Sequence, residues 1–162
     1  MRVRPLARAD IPAFLDLIEA LSDYENLPRP DAAARERLAA DALGERPRFW
    51  VQLAERAGRV IGYVVYFETY STILGRPTLY IEDIFVLPEE RKSGAGRALM
   101  RAMAQEAVER GCGRIEWQVL TWNIAARAFY ERMGAAPLGE WQPYRLLPEQ
   151  FCSLAEADGN GR

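Results

Sequence analysis

The sequence predicts a mixed α/β fold, a mostly antiparallel central sheet with helices on both faces. Three observations carry this reading. Thr78 to Val86 is β-branched and aromatic and lies between Pro77 and Pro88, which suits a strand buried on much of both faces. A glycine-containing turn then opens into a segment with apolar residues at Ala98, Leu99, Ala102 and Met103, the spacing of a helix face. Phe49 to Ala54 and Val60 to Phe67 read as strands joined by the hairpin signal Glu55-Arg56-Ala57-Gly58. The whole chain runs β-α-α-β-β-β-α-β-α-β, an order that pairs strands and covers them with helices.

Arg2 to Leu6 predicts the first strand. Asp10 is placed to cap a helix from Ile11 whose apolar stripe is Phe14, Leu15, Leu17, Ile18 and Leu21. That helix should end in Ser22-Asp23-Tyr24-Glu25-Asn26, ahead of Pro28 and Pro30. Asp31 should cap a second helix that runs through Ala42-Leu43 and stops at Gly44. Thr69 to Pro77 is rich in turn formers and reads as a loop. The central helix should close at Gly111, with a strand over Arg114 to Leu120 after it. Asn123 is a good cap for a helix from Ile124 to Met133, stopped by Gly134 and Pro137. Trp141 to Leu147 reads as a last strand and Glu149 to Leu154 as a short helix. Residues 1–155 are expected to form one domain and 156–162 a loose tail.

Charge and composition narrow the function. The 162 residues carry a net charge of −2, and the pI of about 5.4 argues against a nucleic-acid partner found by bulk electrostatics. There are 0 histidines, which removes Ser-His-Asp and Cys-His catalysis and most zinc sites, so no metal is expected. Cys112 and Cys152 do not make a disulfide framework and read as core thiols. With neither an apolar signal run at Met1-Arg2-Val3-Arg4-Pro5 nor a membrane-length apolar stretch, a cytoplasmic location without membrane contact is expected.

The turn Arg91-Lys92-Ser93-Gly94-Ala95-Gly96-Arg97 suits an anion. The first N–H groups of a helix have no intrahelical partner and can hold a phosphate. Gly94 and Gly96 let a diphosphate approach the main chain, and Arg91 and Lys92 add positive charge. The P-loop alternative lacks its Lys-Ser/Thr, and the dinucleotide fingerprint Gly-x-Gly-x-x-Gly is missing near the chain start.

The spacing Arg91, Gly94, Gly96 resembles the acyl-CoA-binding motif Arg/Gln-x-x-Gly-x-Gly/Ala of the GNAT family of N-acetyltransferases. The likeness covers nearly the whole chain and is strongest to the diamine (spermidine/spermine) and thialysine acetyltransferase branch. It rests further on Tyr24-Glu25, on Tyr80-Ile81-Glu82-Asp83-Ile84-Phe85-Val86, and on Trp122-Asn123 with Phe129-Tyr130.

The resemblance implies the GNAT fold and acetyl-CoA as co-substrate, with Arg91 to Arg97 around the diphosphate. Pantetheine would run beside a bulged strand at Ile84, Phe85 and Val86, and Asn123 and Ala126 would touch the CoA arm. It implies Tyr130 as general acid and Glu82 as the carboxylate against the substrate nitrogen. Tyr24 and Glu25 would bind the amine; Trp117 and Glu116, on the following strand, are weaker candidates for the pocket wall on their position alone. Asp83 should point to the face opposite Glu82, because strand side chains alternate. By analogy the protein is a homodimer acting on a small cationic amine. A non-catalytic acyl-CoA-binding module and a protein-amine acetyltransferase remain open as alternatives; the first would need neither Tyr130 nor Glu82.

Overall fold

Two sets of alternating apolar side chains give the sheet its two covered faces. In the computed structural model, which describes residues 1–156, the strands are β1 (Arg2–Pro5), β2 (Trp50–Arg56), β3 (Arg59–Ser71), β4 (Arg76–Val86) and β5 (Arg114–Trp117). They lie side by side in that order. β1 to β4 are antiparallel neighbours, and β5 joins β4 in parallel. The helices are α1 (Ile11–Glu25), α2 (Ala32–Leu43), α3 (Ala95–Glu109), α4 (Ile124–Glu131) and α5 (Pro148–Glu156).

One face is covered by α3. Its buried stripe Ala95, Leu99, Met103, Ala107 repeats at one helical turn and packs on Ala54, Ile61, Val64, Tyr66, Leu79 and Ile81. The other face receives Phe14 and Leu17 of α1 and Ala42 of α2 against Val51, Leu53, Tyr63, Val65 and Phe85. Phe14 meets the Tyr63 ring edge-on, with centroids 5.4 Å apart. Each such large side chain contributes roughly 1.5–3 kcal/mol by leaving water, so the two layers hold the sheet without any covalent tie.

Two bulges break the alternation. Val65 is opposite Asp83 while Tyr66 is opposite Ile81, so Glu82 is an extra residue in β4. In β3, Ile61 is extra in the same way, between the pairs Ala54–Gly62 and Glu55–Val60. Beyond the first bulge the parity of β4 is inverted. Leu79 and Ile81 face α3, and so do Ile84 and Val86, whereas Phe85 faces α1. At Gly62 β4 leaves no room for a side chain: a Cβ there would meet the Phe85 carbonyl oxygen at 2.6 Å.

Several expectations are corrected. The expected loop Thr69 to Pro77 contracts to the turn 72–75, because β3 and β4 continue their ladder out to Ser71 and Arg76. Asp10 does not cap α1. Its carboxylate accepts from Arg4 Nη1 at 2.6 Å, Arg4 Nη2 at 2.9 Å and the Ala7 N–H at 2.9 Å, a stronger set of donors than a helix start offers. β5 stops at Trp117 instead of Leu120. Trp141 to Leu147 joins no strand ladder, and Pro143 within it lacks the N–H a ladder needs. Cys112 is half-buried against the α3-side cluster, but Cys152 is exposed on α5 instead of lying in a core.

The chain divides into two compact units, Met1–Gln118 and the residues from Val119 on. In the first, Asp31 caps α2 as expected, accepting from the Ala34 N–H at 2.7 Å. In the second, Asn123 caps α4, accepting from the Ala126 N–H at 3.2 Å. The tail expected over 156–162 lies, from 157 on, outside the described residues.

Candidate active site

The site begins where β4 loses a neighbour. β5 pairs with β4 only from Thr78–Arg114 to Ile81–Trp117. From Glu82 to Val86 no strand among the described residues pairs with the edge of β4 away from β3, and backbone groups on such an edge can pair with an extended ligand. The bulge at Glu82 sits at the start of this free edge.

The edge leads straight into the turn. After the short helical turn Pro88–Glu90, Lys92 and Gly94 both adopt left-handed backbone, with φ of 64° and 91°. Gly94 is needed for that conformation and not for room within the protein, since a Cβ would meet nothing within 4 Å. Between them the Ser93 hydroxyl is buried with no hydrogen-bond partner. The Ala98 N–H is the first helical donor to find an acceptor, the Gly94 carbonyl at 3.0 Å. The earlier amides of α3 have none within the helix. Free amides, an orphaned hydroxyl and the exposed Lys92 and Arg97 fit the diphosphate of a nucleotide-bearing co-substrate such as acetyl-CoA. Arg91 is used differently. Its guanidinium stacks 4.3 Å from the Tyr24 ring centroid, and its Nε donates to the Val86 carbonyl at 3.3 Å. It therefore ties the end of α1 to the turn.

The α1 face beside the free edge is acidic. Asp83 is half-buried, and burial together with Glu82 and Glu25 pushes its carboxyl up to about 7. Burial also raises Glu25, at the last turn of α1. Further along β4 the Tyr80 hydroxyl is raised by burial, Glu82 and Glu116. Glu25, Asp83 and Glu82 thus share one negative field, with Tyr24 packed beside it on Phe85 at 6.3 Å, whereas Glu116 is paired with Arg114 at 3.0 Å. A carboxylate cluster of this kind is relieved by a cation. Among the described residues no group of His, Cys, Asp or Glu is arranged to hold a metal ion.

Of the residues singled out from the sequence, Tyr24, Glu25, Ile84, Phe85, Val86 and the turn from Arg91 to Arg97 come together around the free end of β4. Glu82 stands exposed at the bulge. Trp117 packs against the α3-side cluster, on the sheet face opposite Tyr24 and Glu25. Asn123, Ala126 and Tyr130 belong to α4 and its cap in the second unit, where the Tyr130 ring lies 5.4 Å from that of Phe129. From the sequence Asp83 is placed only relative to Glu82, on the opposite face of the strand. The bulge puts it on the α1 face with Phe85, in the field of both Glu82 and Glu25. The apolar spacing Leu79, Ile81, then Ile84, Val86 carries the signal, since one step of three among steps of two marks an inserted residue.

A strand freed from its neighbour, followed by a phosphate-suited turn at a helix start, is an arrangement that can hold an extended, phosphate-bearing ligand. The chain belongs to the Acetyltransferase (GNAT) family, which it matches over residues 14–135. It is similar to the thialysine N-epsilon-acetyltransferase of Bos taurus, 34% identical over 94% of this chain and 96% of that one. The L-ornithine N5-acetyltransferase of Arabidopsis thaliana is 45% identical over 59% of this chain and 42% of its own length. In fold the chain is similar to an integron cassette protein from the mobile metagenome of V. cholerae, with a TM-score of 0.79, 22% identity and coverage of 96% and 97% of the two chains.

Proposed function

We propose that this N-acetyltransferase transfers the acetyl group of acetyl-CoA to a small primary amine by direct transfer in a ternary complex. The acceptor is a diamine, a polyamine or a lysine-like amino acid such as thialysine. The observation that carries this reading is Asp83, set among Glu82 and Glu25 next to the free edge of β4 that leads into the Gly94 turn. The thialysine and ornithine enzymes among the relatives, both named for amino acids with a side-chain amine, support it.

The co-substrate supplies a thioester whose acetyl carbon gains a C–N bond as its C–S bond breaks. The chain's own residues manage charge and protons. Glu25 and Glu82 hold the alkylammonium, with the Tyr24 ring beside it. Asp83 takes the amine proton. An amine near 10.4 and an ordinary Asp near 3.9 are separated by about 9 kcal/mol of proton affinity. With Asp83 at about 7 the gap falls to about 5 kcal/mol, which bond formation at nitrogen can offset. Tyr130 hydrogen-bonds to or protonates the departing sulfur; full transfer from a phenol near 10 to a thiolate near 8.5 is uphill by about 2 kcal/mol unless coupled to loss of the amine proton.

In this reading the enzyme works in the cytoplasm as a homodimer. The exposed apolar side chains of Trp141, Tyr144, Leu146 and Leu147 support an interface between copies. The test is acetyl-CoA consumption across diamines, polyamines, ornithine and thialysine. Thiol release with at least one is expected, and Tyr130→Phe should lower turnover at saturating acetyl-CoA by about 100-fold or more. Acetyl-CoA binding without thiol release from any amine would instead leave a non-catalytic acyl-CoA module.

A further inference from the structure

Tyr63 is fully buried, and its hydroxyl has no hydrogen-bond partner. A buried phenol without a partner is costly to a fold, and Phe would fill the same space without that cost. Its neighbours suggest what the hydroxyl is for. In the β3–β4 register Tyr63 is opposite Phe85 and Val65 is opposite Asp83. Tyr63 and Asp83 are therefore diagonal neighbours on the α1 face, a separation an aromatic side chain spans. Burial, Asp83 and Glu25 all raise the Tyr63 phenol, so it keeps its proton and lies in the field of both carboxylates.

We infer that Tyr63 is a positioning residue for Asp83: its buried hydroxyl, unpaired in this structure, becomes the donor to the Asp83 carboxylate when that group ionises and holds it as the acceptor for the amine proton. The inference rests on the amine-acetyltransferase reading. The groups facing Asp83 are Glu82 from its own strand, Glu25 from α1 and Tyr63 from β3. Arg91, at the turn, lies over the Tyr24 and Phe85 rings. Glu82 and Glu25 oppose ionisation of Asp83, whereas a phenol donor favours the charged form. Once the carboxylate takes the amine proton, the hydrogen bond is released and the phenol keeps its own proton.

The test compares wild type with Tyr63→Phe, which removes one oxygen and leaves the ring. The acidic limb of the kcat/KM profile for the amine should move up by about one pH unit. That means about a tenfold loss below the limb, recovery above it, and an unchanged KM for acetyl-CoA. A merely structural hydroxyl would lower activity at every pH alike. Carbon-13 titration of the Asp83 carboxyl in the unliganded protein, assigned with Asp83→Asn, reads the same coupling without turnover. Its midpoint should rise in Tyr63→Phe by a similar amount. In an Asp83→Asn background, Tyr63→Phe should have no further effect on kcat. An unmoved midpoint, an unmoved acidic limb or an additive loss in the double variant would overturn the inference while leaving acetyl transfer intact. A shifted midpoint in a protein that acetylates no amine would keep the pair and remove the transferase reading.

Discussion

The two halves of β4 are built from similar residues and do opposite things. From Thr78 to Ile81 the strand is hydrogen-bonded on both edges, and Thr78, Leu79 and Ile81 are all but sealed from water. From Glu82 to Val86 one edge is free, a residue is inserted, and two acidic side chains interrupt the apolar run. The first half anchors the sheet, and the second presents backbone and charge to a ligand. The contrast shows how little is required to turn a core strand into a site: one missing neighbour and one extra residue.

The largest effect should come from the anchored half. Ile81→Ala removes a side chain 1% exposed, packed between the sheet and α3, and should cost about 3–4 kcal/mol of unfolding free energy by urea denaturation. A loss below about 1 kcal/mol would show that this half is not the anchor. At the open half, Gly94→Val forces a β-branched residue into left-handed backbone at the start of α3. Acetyl-CoA affinity by calorimetry should fall about 100-fold, close to 3 kcal/mol, with smaller changes in fold. Equal binding by the variant would detach the turn from the site.

The smallest effect runs in the stabilising direction. The folded Asp83 titrates near 7, above the roughly 3.9 of an unfolded Asp. Its protonated form is thus favoured by folding: stability is full below about pH 4 and declines as pH rises through about 7. Asp83→Asn should raise stability at pH 8 by about 2 kcal/mol and flatten thermal midpoints between pH 4 and 7. An unchanged pH slope would mean that the open half carries no electrostatic strain.

What could be read from the sequence was local. Asp31 and Asn123 cap their helices because a cap depends on residues three positions away. The turn at Gly94 was legible as a break before an apolar helix stripe, but its glycine was read as room for a phosphate, and its left-handed backbone came only from the structure. Asp10 misled because its partner, Arg4, comes from a neighbouring strand with two strong donors. Trp141 to Leu147 misled because its alternation satisfies a strand pattern that tertiary pairing does not use. The face that Asp83 shares with Phe85 was not read, because a bulge, whose trace is Leu79-Ile81 against Ile84-Val86, breaks the alternation that would have fixed it. Tyr63 could not be found that way, since an orphaned hydroxyl has no sequence signature.

Gly62 never needs to meet a ligand, yet it fixes how near the free strand stands to the rest of the sheet. With 2.6 Å between an imagined methyl and the Phe85 oxygen, even the smallest side chain would shoulder the ligand-facing edge outward. Position 62 thus works as a spacer of zero thickness. Its substitution would be felt first as a misfit between the edge and its guest, at a distance from either.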